Sequence, residues 1–481
     1  MSTNGIIGRE YEQKLIRNYY DSNKAELVAI YGRRRVGKTF LVKKMLEGEF
    51  SFSFTGMYEA SRAVQLNQFQ KNLERYSKKA QRRLKDWFDA FDVLREYLES
   101  LQKDKIVVFL DELPWMDTPK GNFLNAFGQF WNDWASTKSQ LKLFVCGSAT
   151  TWMMSKLIGN KGGLYGRVCR SIYLAPFSLK ETELFLKEVK EIDWSRKQII
   201  EAYMILGGIP FYLDMILKGQ PLSASINDLF YREGAPLRYE FDFLFRSLFK
   251  ESTIYKRIIE TLAQKGVGMS RQELLQELKL QEGGNLTEIL ENLVMCDFIR
   301  KYTILGKNSR DIQYQLTDLF SLFHLKFVAH HNGQDEHYWS NLDGKSIQNT
   351  WKGIAFERVC LHHIKQIKET LGISGILSNV HSWACKPFTD KDGISWKGGQ
   401  IDLLIDRDDN VISLCEMKYV SGSFTITEDY EKHLRYRADL LRKVSKTRKA
   451  LQHVFITTFG INQNKFSGIV QNEVTLEDLF R

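Results

Sequence analysis

The chain contains 481 residues, of which 43% are hydrophobic and 26% are charged, and its formal net charge is +10. This length exceeds what a single hydrophobic core normally supports, so we expect about two to four domains. The near-average composition excludes a disordered or fibrous protein, and the positive charge permits nucleic acid as a partner without establishing it.

The first residues of the chain and the spacing of the cysteines indicate the cellular compartment. The first residues lack a basic flank followed by an apolar segment, and no stretch of the sequence is long enough to cross a bilayer. The 6 cysteines are scattered singly without a C-x-x-C pair, which favours buried free thiols over zinc sites or disulfides. We therefore expect a cytoplasmic globular protein without membrane contact.

The predicted secondary structure changes along the chain. Between residues 27 and 175, β-rich runs alternate with helical stretches, which predicts an α/β fold with a parallel sheet. The predicted strands are Leu27–Tyr31, Phe50–Phe54, Ile106–Leu110, Leu141–Cys146 and Ser171–Leu174. Residues 176–245 are predicted to be mostly helical, residues 250–320 to form a helical module ending in a hairpin, and the rest to form helix, strands and helix.

A glycine-rich segment follows the first predicted strand. Gly32-Arg-Arg-Arg-Val-Gly-Lys-Thr39 matches G-x-x-x-x-G-K-[ST] between a strand and a helix, which is the context of a phosphate-binding loop. Its glycines let backbone N–H groups face phosphate, Lys38 neutralises the β and γ phosphates of ATP, and Thr39 ligates magnesium. The residues predicted to contact the nucleotide are Gly32, Arg35, Val36, Gly37, Lys38, Thr39 and Phe40. The alternative interpretation is a basic surface turn.

The third predicted strand ends in two carboxylates, Asp111 and Glu112. We expect Asp111 to hold Mg²⁺ through water, while Glu112 acts as the catalytic base that orients and deprotonates the attacking water. The alternative is a solvated strand end, which the upstream loop disfavours.

Two later residues fit the same site. Ser148 ends the next strand, where its hydroxyl is predicted to contact the γ-phosphate, the alternative being an ordinary helix cap. Arg167 lies before the final strand, where it is a candidate arginine finger for a neighbouring subunit's nucleotide, the alternative being a structural salt bridge.

This segment resembles the AAA+ and STAND-type ATPases related to archaeal and bacterial initiator proteins. Ile7-Gly-Arg9-Glu10 resembles their box near the adenine, and Gly207-Gly-Ile-Pro210 resembles the G-x-P element of their helical lid. The resemblance implies that Arg9 and Pro210 contact the nucleotide.

A more specific resemblance covers nearly the whole chain. Asp111-Glu-Leu-Pro-Trp-Met116, together with Phe130-Trp-Asn132 and Gly147-Ser-Ala-Thr150, is similar to a prokaryotic family that pairs this ATPase with a restriction-endonuclease-like C-terminal domain.

Residues 251–316 resemble a winged helix, with a first helix near Ser252–Gln264. Capping boxes at Ser270-x-x-Glu273 and Asn285-x-x-Glu288 predict the second and third helices. The third helix is too acidic for good phosphate contact, whereas the wing around Gly306 is basic. The basic wing residues are Arg300, Lys301, Lys307 and Arg310. A DNA-contacting wing and an interdomain regulatory module both remain open.

Two strands near the C-terminus bring acidic residues together. Segments 399–405 and 411–418 predict a hairpin, and a turn centred on Asp409 places Asp402 opposite Glu416, with Cβ atoms about 5 Å apart. Lys418 points to the same face as Glu416. This face is otherwise apolar, so a bound cation would offset the cost of the two acids. Two carboxylates on magnesium beside a lysine suit phosphodiester hydrolysis.

The arrangement resembles the PD-(D/E)xK nuclease motif, with Asp402 as the first acid and Glu416-Met-Lys418 as the E-x-K. Glu357, on a predicted helix, resembles the additional metal-binding acid of such nucleases. The sequence departs from the motif at the proline, which Gly-Gly-Gln-Ile replaces before Asp402, and this leaves activity open. The alternative is a hairpin whose acids pair with nearby Arg or Lys. A run of basic residues between 435 and 449 is either a phosphate-binding helix or a solvated face.

Together these features predict a P-loop ATPase core at 1–175, a helical lid at 176–245, a winged-helix-like module at 246–335 and a PD-(D/E)xK nuclease-like domain at 340–481. The expected cofactors are ATP and Mg²⁺, and the expected partner is DNA. The alternative is a STAND-type signalling ATPase that forms nucleotide-dependent homo-oligomers and uses the nuclease-like domain only for binding.

Overall fold

The fold is described from a computed structural model, which describes residues 5–159, 168, 170–281, 283, 285–306 and 312–481. The chain divides into two compact units, Met1–Pro176 and Phe177–Arg481. Among the residues described, no helix is long and apolar enough to cross a membrane.

The first unit is built on a five-stranded parallel sheet. Its strands are β1 (Glu26–Tyr31), β2 (Phe50–Thr55), β3 (Ile106–Asp111), β4 (Leu141–Gly147) and β5 (Arg170–Tyr173). They lie in the order β2-β3-β4-β1-β5, and every pairing is parallel. The three central strands are buried almost throughout, as expected for a parallel sheet covered on both faces. All five predicted strands are confirmed within about one residue at each end.

Helices connect these strands and cover the sheet. They are α1 (Glu10–Asp21), α2 (Lys38–Met45), α3 (Arg62–Ser77), α4 (Trp87–Glu99), α5 (Leu113–Met116), α6 (Phe123–Gln129) and α7 (Thr150–Trp152), with π-helical turns at Phe130–Trp134 and Met153–Ile158. The side chains of Phe69, Trp87, Phe91 and Phe123 pack edge-to-face or tilted against one another in the core. This aromatic cluster fixes α3, α4 and α6 on the sheet.

The second unit begins with helices, as predicted. They are α8 (Leu179–Leu184), α9 (Arg196–Leu206), α10 (Pro210–Asp214), α11 (Leu222–Phe230) and α12 (Glu240–Leu248). Ser178 and Ser195 open α8 and α9 with capping boxes, and Gly207 ends α9 in the left-handed conformation.

The next part contains three helices and a small sheet. Its elements are α13 (Ser252–Ala263), β6 (Met269–Ser270), α14 (Arg271–Leu278), α15 (Asn285–Met295), β7 (Ile299–Thr303) and β8 (Ile312–Leu316), with strands in the order β6-β8-β7. The capping box at Ser270 and Glu273 is present as predicted. Asn285, expected as a cap, is instead the first residue of its helix. Lys307 and Arg310 of the predicted wing lie outside the described residues.

A mixed sheet follows further along the second unit. Its elements, with the flanking helices, are α16 (Leu319–Phe323), α17 (Tyr338–Asn341), α18 (Ser346–His362), α19 (Ile364–Thr370), β9 (Ser378–Cys385), β10 (Phe388–Thr389), β11 (Ser395–Trp396), β12 (Gly399–Arg407), β13 (Val411–Lys418), α20 (Glu428–Ser445), β14 (Ala450–Thr457), β15 (Val470–Thr475) and α21 (Leu476–Leu479). The order is β15-β14-β13-β12-β9, antiparallel from β9 to β13 and parallel from β13 to β15.

The predicted hairpin is β12 and β13, and its register follows the predicted symmetry. Leu403 pairs with Cys415 and Leu404 with Leu414, which centres the turn on Asp409. Asn410 takes a positive φ of 63° in that turn, which a three-residue hairpin loop requires.

Candidate nucleotide site and C-terminal acidic cluster

The glycine-rich loop is shaped by backbone conformations that glycine tolerates. Gly32 has φ 145°, and a Cβ atom there would overlap the carbonyl oxygen of Leu174. Gly37 has φ 93° and faces open space. Lys38 is buried, and its Nζ donates hydrogen bonds to the carbonyls of Gly32 (2.9 Å) and Arg33 (2.8 Å). Since α2 begins at Lys38, the N–H groups of its first turn adjoin this loop, which suits an anion.

Thr39 and Asp111 meet although they lie on different elements. The Thr39 hydroxyl is 3.1 Å and 3.0 Å from the two carboxylate oxygens of Asp111 at the end of β3. Asp111 is 3% exposed, and burial, together with the charge of Glu112, raises its pKa to about 6. The predicted pair of magnesium-binding side chains is therefore brought together.

Glu112 lies beside Ser148. Its backbone is left-handed, at φ 49° and ψ 49°, an uncommon conformation for a residue other than glycine. Its Oε2 accepts hydrogen bonds from the backbone N–H of Ser148 (3.1 Å) and from the Ser148 hydroxyl (2.8 Å). The Ser148 hydroxyl, predicted to contact the γ-phosphate, thus contacts the predicted catalytic base.

The other predicted nucleotide contacts have different surroundings. Arg9 is buried, and its guanidinium donates to the carbonyl of Ala175 at 2.7 Å. Arg35 has a left-handed backbone with φ 72° and Val36 is buried, whereas 51% of the Phe40 side chain is exposed. Pro210 is the first residue of α10 in the second unit.

Arg167, the predicted arginine finger, lies outside the described residues.

Gln65 is a residue of this region that the sequence did not indicate. It is fully buried in α3, its side-chain amide donates to the carbonyls of Met57 and Trp115, and its oxygen accepts from the N–H of Met57. It thereby ties the segment after β2 to α5, the helix that begins directly after Glu112 in the sequence. The only sequence signal is an amide on an otherwise apolar helical face.

The raised pKa of Asp111 predicts a pH-dependent stability. Its pKa of about 6 in the folded state exceeds the value near 3.9 in an unfolded chain, so this group stabilises the fold below pH about 4 and loses that contribution as the pH rises through 6. We expect Asp111→Asn to stabilise the nucleotide-free protein by on the order of 2 to 3 kcal/mol at pH 7.5, and by much less at pH 4.5. Calorimetric unfolding in the presence of a chelator measures the change in stability at each pH. Equal destabilisation at the two pH values would contradict a raised pKa of Asp111.

In the C-terminal sheet, the hairpin ladder stops one position short of the predicted acidic pair. The β12–β13 pairing ends at Leu403 and Cys415, so Asp402 and Glu416 are not ladder partners. Asp402 is half-buried, and one of its carboxylate oxygens accepts from the side-chain amide of Gln400.

Glu416 is buried and has basic and hydroxyl partners. Its Oε1 is 2.5 Å from a guanidinium nitrogen of Arg437, and its Oε2 accepts from the Tyr430 hydroxyl at 2.8 Å. Lys418 is more distant, with its Nζ 3.8 Å from Oε2. Tyr430 and Arg437 were not predicted as site residues, yet their spacing of seven places both on one face of α20. Glu416 therefore has a basic partner of the kind that the alternative interpretation predicted.

Glu357, on α18, belongs to the same cluster. Burial, and then the charge of Asp402, raises the pKa of Glu357 to about 7, while Arg358 and Lys418 oppose the shift. The structure thus brings Glu357 near the three predicted nuclease residues. Within the described part of the chain, no group of three or more His, Cys, Asp or Glu residues is placed to hold a metal ion, so these acids do not form a ready three-ligand site.

Among the described residues, most of the basic side chains considered as phosphate contacts are paired within the protein. Lys301 of the wing pairs with Glu291 at 2.7 Å, and Arg435 of α20 pairs with Glu431. Beyond these and Arg437, the paired residues are Lys443 with Asp390 and Lys449 with Asp406. The wing residue Arg300 points towards β9. The sequence left phosphate binding open for these residues because it does not show their acidic partners.

The first unit has the geometry of a P-loop ATPase domain. Its first strand runs into the glycine-rich loop, and an acidic pair ends the strand two places away in the sheet. Residues 6–216 match the family model described as an ATPase domain predominantly from Archaea.

Two curated proteins of Methanocaldococcus jannaschii are similar to the chain. An uncharacterized protein is 27% identical over 446 residues, covering 91% of this chain and 91% of that protein. An uncharacterized ATP-binding protein is 46% identical over 44 residues, covering 9% of this chain and 75% of that protein.

Solved structures are also similar. The Walker-type ATPase of Pyrococcus abyssi is 18% identical with a TM-score of 0.46, and the match covers 67% of this chain and 96% of the other. The ORC2 protein of Aeropyrum pernix in its ADP form is 14% identical with a TM-score of 0.36, covering 73% and 97%.

Proposed function

We propose that this ATPase controls a magnesium-dependent DNA nuclease of the PD-(D/E)xK kind in the C-terminal part of the same chain. The observation that carries the proposal is the cluster of Glu357, Asp402, Glu416 and Lys418, which two strands and one helix bring together. The proposal keeps the four-part division into ATPase core, lid, winged-helix module and nuclease-like domain.

In the ATPase domain, we assign Mg²⁺ to Thr39 and Asp111. Their oxygen atoms fit a hard cation, and a cation would also favour the ionised form of Asp111, which burial and the charge of Glu112 disfavour. Bound there with ATP, Mg²⁺ would neutralise charge on the transferred phosphoryl group. Lys38 supplies positive charge to the β and γ phosphates, and Glu112, oriented by Ser148, accepts a proton from the attacking water.

In the C-terminal cluster, the acids are chemically suited to a divalent cation. Burial and the charge of Asp402 both disfavour the ionised form of Glu357, and a bound cation would relieve this repulsion. Arg437 and Tyr430 occupy one hydrogen bond at each oxygen of Glu416, but each oxygen has a second lone pair, so these bonds orient Glu416 without blocking metal contact. Lys418 is available to stabilise charge on a phosphodiester as water attacks phosphorus and the P–O bond to the leaving group breaks.

Helix α9 offers a route by which the ATPase controls this cluster. Glu201 on α9 pairs with Lys352 of α18 at 3.1 Å and accepts from the hydroxyl of Tyr419 at 2.5 Å. Tyr419 directly follows Lys418, and α18 carries Glu357. A shift of the predicted lid would therefore displace both β13, which ends at Lys418, and α18, which carries Glu357.

The test is a DNA cleavage assay on the purified full chain. With Mg²⁺, we expect nicking or cleavage of plasmid DNA that a chelator stops and that changes between ATP, ADP and a non-hydrolysable ATP analogue. If ATP is hydrolysed but no DNA is cut under any of these conditions, with Mg²⁺ or Mn²⁺, the nuclease proposal is wrong.

A second candidate function is a STAND-type switch whose nuclease-like domain only binds DNA or a partner. The intramolecular pairing of Lys301, Lys443 and Lys449 favours it, because charges already paired attract phosphate less strongly. This candidate predicts a change in oligomer mass between ADP and the ATP analogue, without cleavage.

A further inference from the structure

The strand that carries Asp402 is irregular at that residue. Ile401 pairs with Trp383 of β9, but the next pair is Leu404 with His381. Two residues of β12, Asp402 and Leu403, therefore oppose a single residue of β9, Ser382. This is the arrangement of a β-bulge, which bends a strand and redirects a side chain.

Ser382 stabilises this bulge through its hydroxyl. The side chain is 1% exposed, and its Oγ donates a hydrogen bond to the backbone carbonyl of Asp402. A bulge interrupts the regular ladder, and a buried carbonyl left without a partner would be costly. The hydroxyl supplies that partner at the residue predicted to be the first nuclease acid.

Arg300 of the wing hairpin holds the hydroxyl in turn. One of its guanidinium nitrogens donates to Ser382 Oγ at 2.6 Å, and its Nε donates to the side-chain oxygen of Gln315 at 2.6 Å. Because the guanidinium of Arg300 donates a hydrogen atom to Ser382 Oγ, the Ser382 hydroxyl can donate its own hydrogen to the carbonyl of Asp402. A chain of hydrogen bonds thus runs from β8 through β7 and β9 to the backbone of Asp402.

The position of Arg300 is set by the alternation of strand β7. Lys301, the next residue, points the other way and pairs with Glu291. Tyr302, two residues on, lies on the same face as Arg300, and the guanidinium carbon is 4.6 Å from the centre of its ring. Burial lowers the pKa of Arg300 to about 10, a value at which it stays charged at neutral pH.

We propose that Arg300 is a positioning residue for Asp402: acting through Ser382, it fixes the bulge that aims the Asp402 carboxylate into the acidic cluster. The wing then acts as an internal support of the nuclease-like site rather than as a DNA-contacting element. This inference rests on the proposed nuclease function, and it makes the seating of the winged-helix module a condition for cleavage.

The test compares Arg300→Met, Arg300→Lys, Ser382→Ala and Ser382→Thr in the full chain. We expect Arg300→Met and Ser382→Ala to lower the cleavage rate at saturating DNA by about 10- to 100-fold, to raise the Mg²⁺ concentration needed for half-maximal rate, and to change the KM for DNA by less than about twofold. Arg300→Lys and Ser382→Thr, which keep the charge or the hydroxyl, should recover part of the rate. Hydrogen exchange in the peptide spanning Asp402 should accelerate in the two damaging variants.

Thr303→Val is the matched control. The Thr303 hydroxyl contacts His381 Nδ1 at 3.2 Å, so it also joins the wing to β9 but does not lead to Asp402. We expect its cleavage rate, Mg²⁺ response and exchange at Asp402 to match those of the unmodified protein. If Thr303→Val behaves like Arg300→Met, the effect is general docking of the wing and the inference is wrong.

The outcomes separate this inference from the proposed function. Suppose that the unmodified protein cuts DNA, and that Arg300→Met and Ser382→Ala have the same cleavage rate, Mg²⁺ response and hydrogen exchange. This result overturns the positioning role of Arg300 but leaves the nuclease proposal intact. If the unmodified protein does not cut DNA, the proposed function fails. The positioning role of Arg300 is then decided by two other measurements, hydrogen exchange at Asp402 and Mn²⁺ affinity measured by titration. Unchanged exchange and Mn²⁺ affinity in both variants would then reject it.

Discussion

Glu112→Gln is expected to lower the rate of ATP hydrolysis by about 10²- to 10⁴-fold, the usual contribution of a positioned general base. The amide keeps the size of the side chain and an oxygen that accepts from the N–H and hydroxyl of Ser148. What it loses is the ability to take a proton from water. We therefore expect ATP affinity to change by less than about threefold, because the residues predicted to contact the phosphates and Mg²⁺ are untouched.

Ser148→Ala separates orientation from proton transfer at the same site. It leaves the Glu112 carboxylate in place but removes the hydroxyl bond of 2.8 Å that holds it. A loss of about tenfold, smaller than that of Glu112→Gln, is expected because the backbone N–H bond remains. Steady-state ATP turnover and binding of a fluorescent ATP analogue measure the two effects. Hydrolysis by Glu112→Gln within threefold of the unmodified rate would remove Glu112 from the role of base.

The local part of the candidate nucleotide site was predictable from the sequence. The spacing from Gly32 to Thr39 is contained in eight consecutive residues, and β3 places Asp111 at the same edge of the sheet, so Lys38, Thr39 and Asp111 could be assigned without knowing the strand order. The partner of Ser148 could not be assigned. It depends on β4 lying next to β3 and on the left-handed backbone of Glu112, neither of which the sequence pattern specifies.

The C-terminal hairpin shows the same limit. Its register followed from the symmetry of a short turn around Asp409, and the pairs at Leu403 and Leu404 confirm it. The bulge at Asp402 did not follow, because it arises from pairing with β9, a strand about 20 residues earlier whose partner the pattern does not identify. Likewise, the sequence shows that Arg300 is charged, but the direction in which its side chain points depends on tertiary packing.

Asp402→Ala is expected to reduce Mg²⁺-dependent DNA cleavage to background, while ATP hydrolysis remains unchanged. A metal ligand at a reacting phosphate contributes several kcal/mol, so a loss of at least about 10²-fold follows when the ligand is removed. Lys418→Ala should also lower the cleavage rate, with less effect on Mg²⁺ affinity, since the ammonium group acts on phosphate charge rather than on the metal.

Asp406→Asn provides the matched control for Asp402→Ala. Asp406 lies on the same strand, but its carboxylate pairs with Lys449 at 2.7 Å rather than with the acidic cluster, so cleavage should persist. Plasmid nicking and ATP turnover, measured for each variant, show whether a substitution affects DNA cleavage alone or ATP hydrolysis as well. Equal cleavage by Asp402→Ala, Lys418→Ala and the unmodified protein would place any nuclease activity outside this cluster. Loss of cleavage in Asp402→Ala alone among the two aspartate variants would show that the acid at the bulge, and not the general charge of the strand, supports the chemistry.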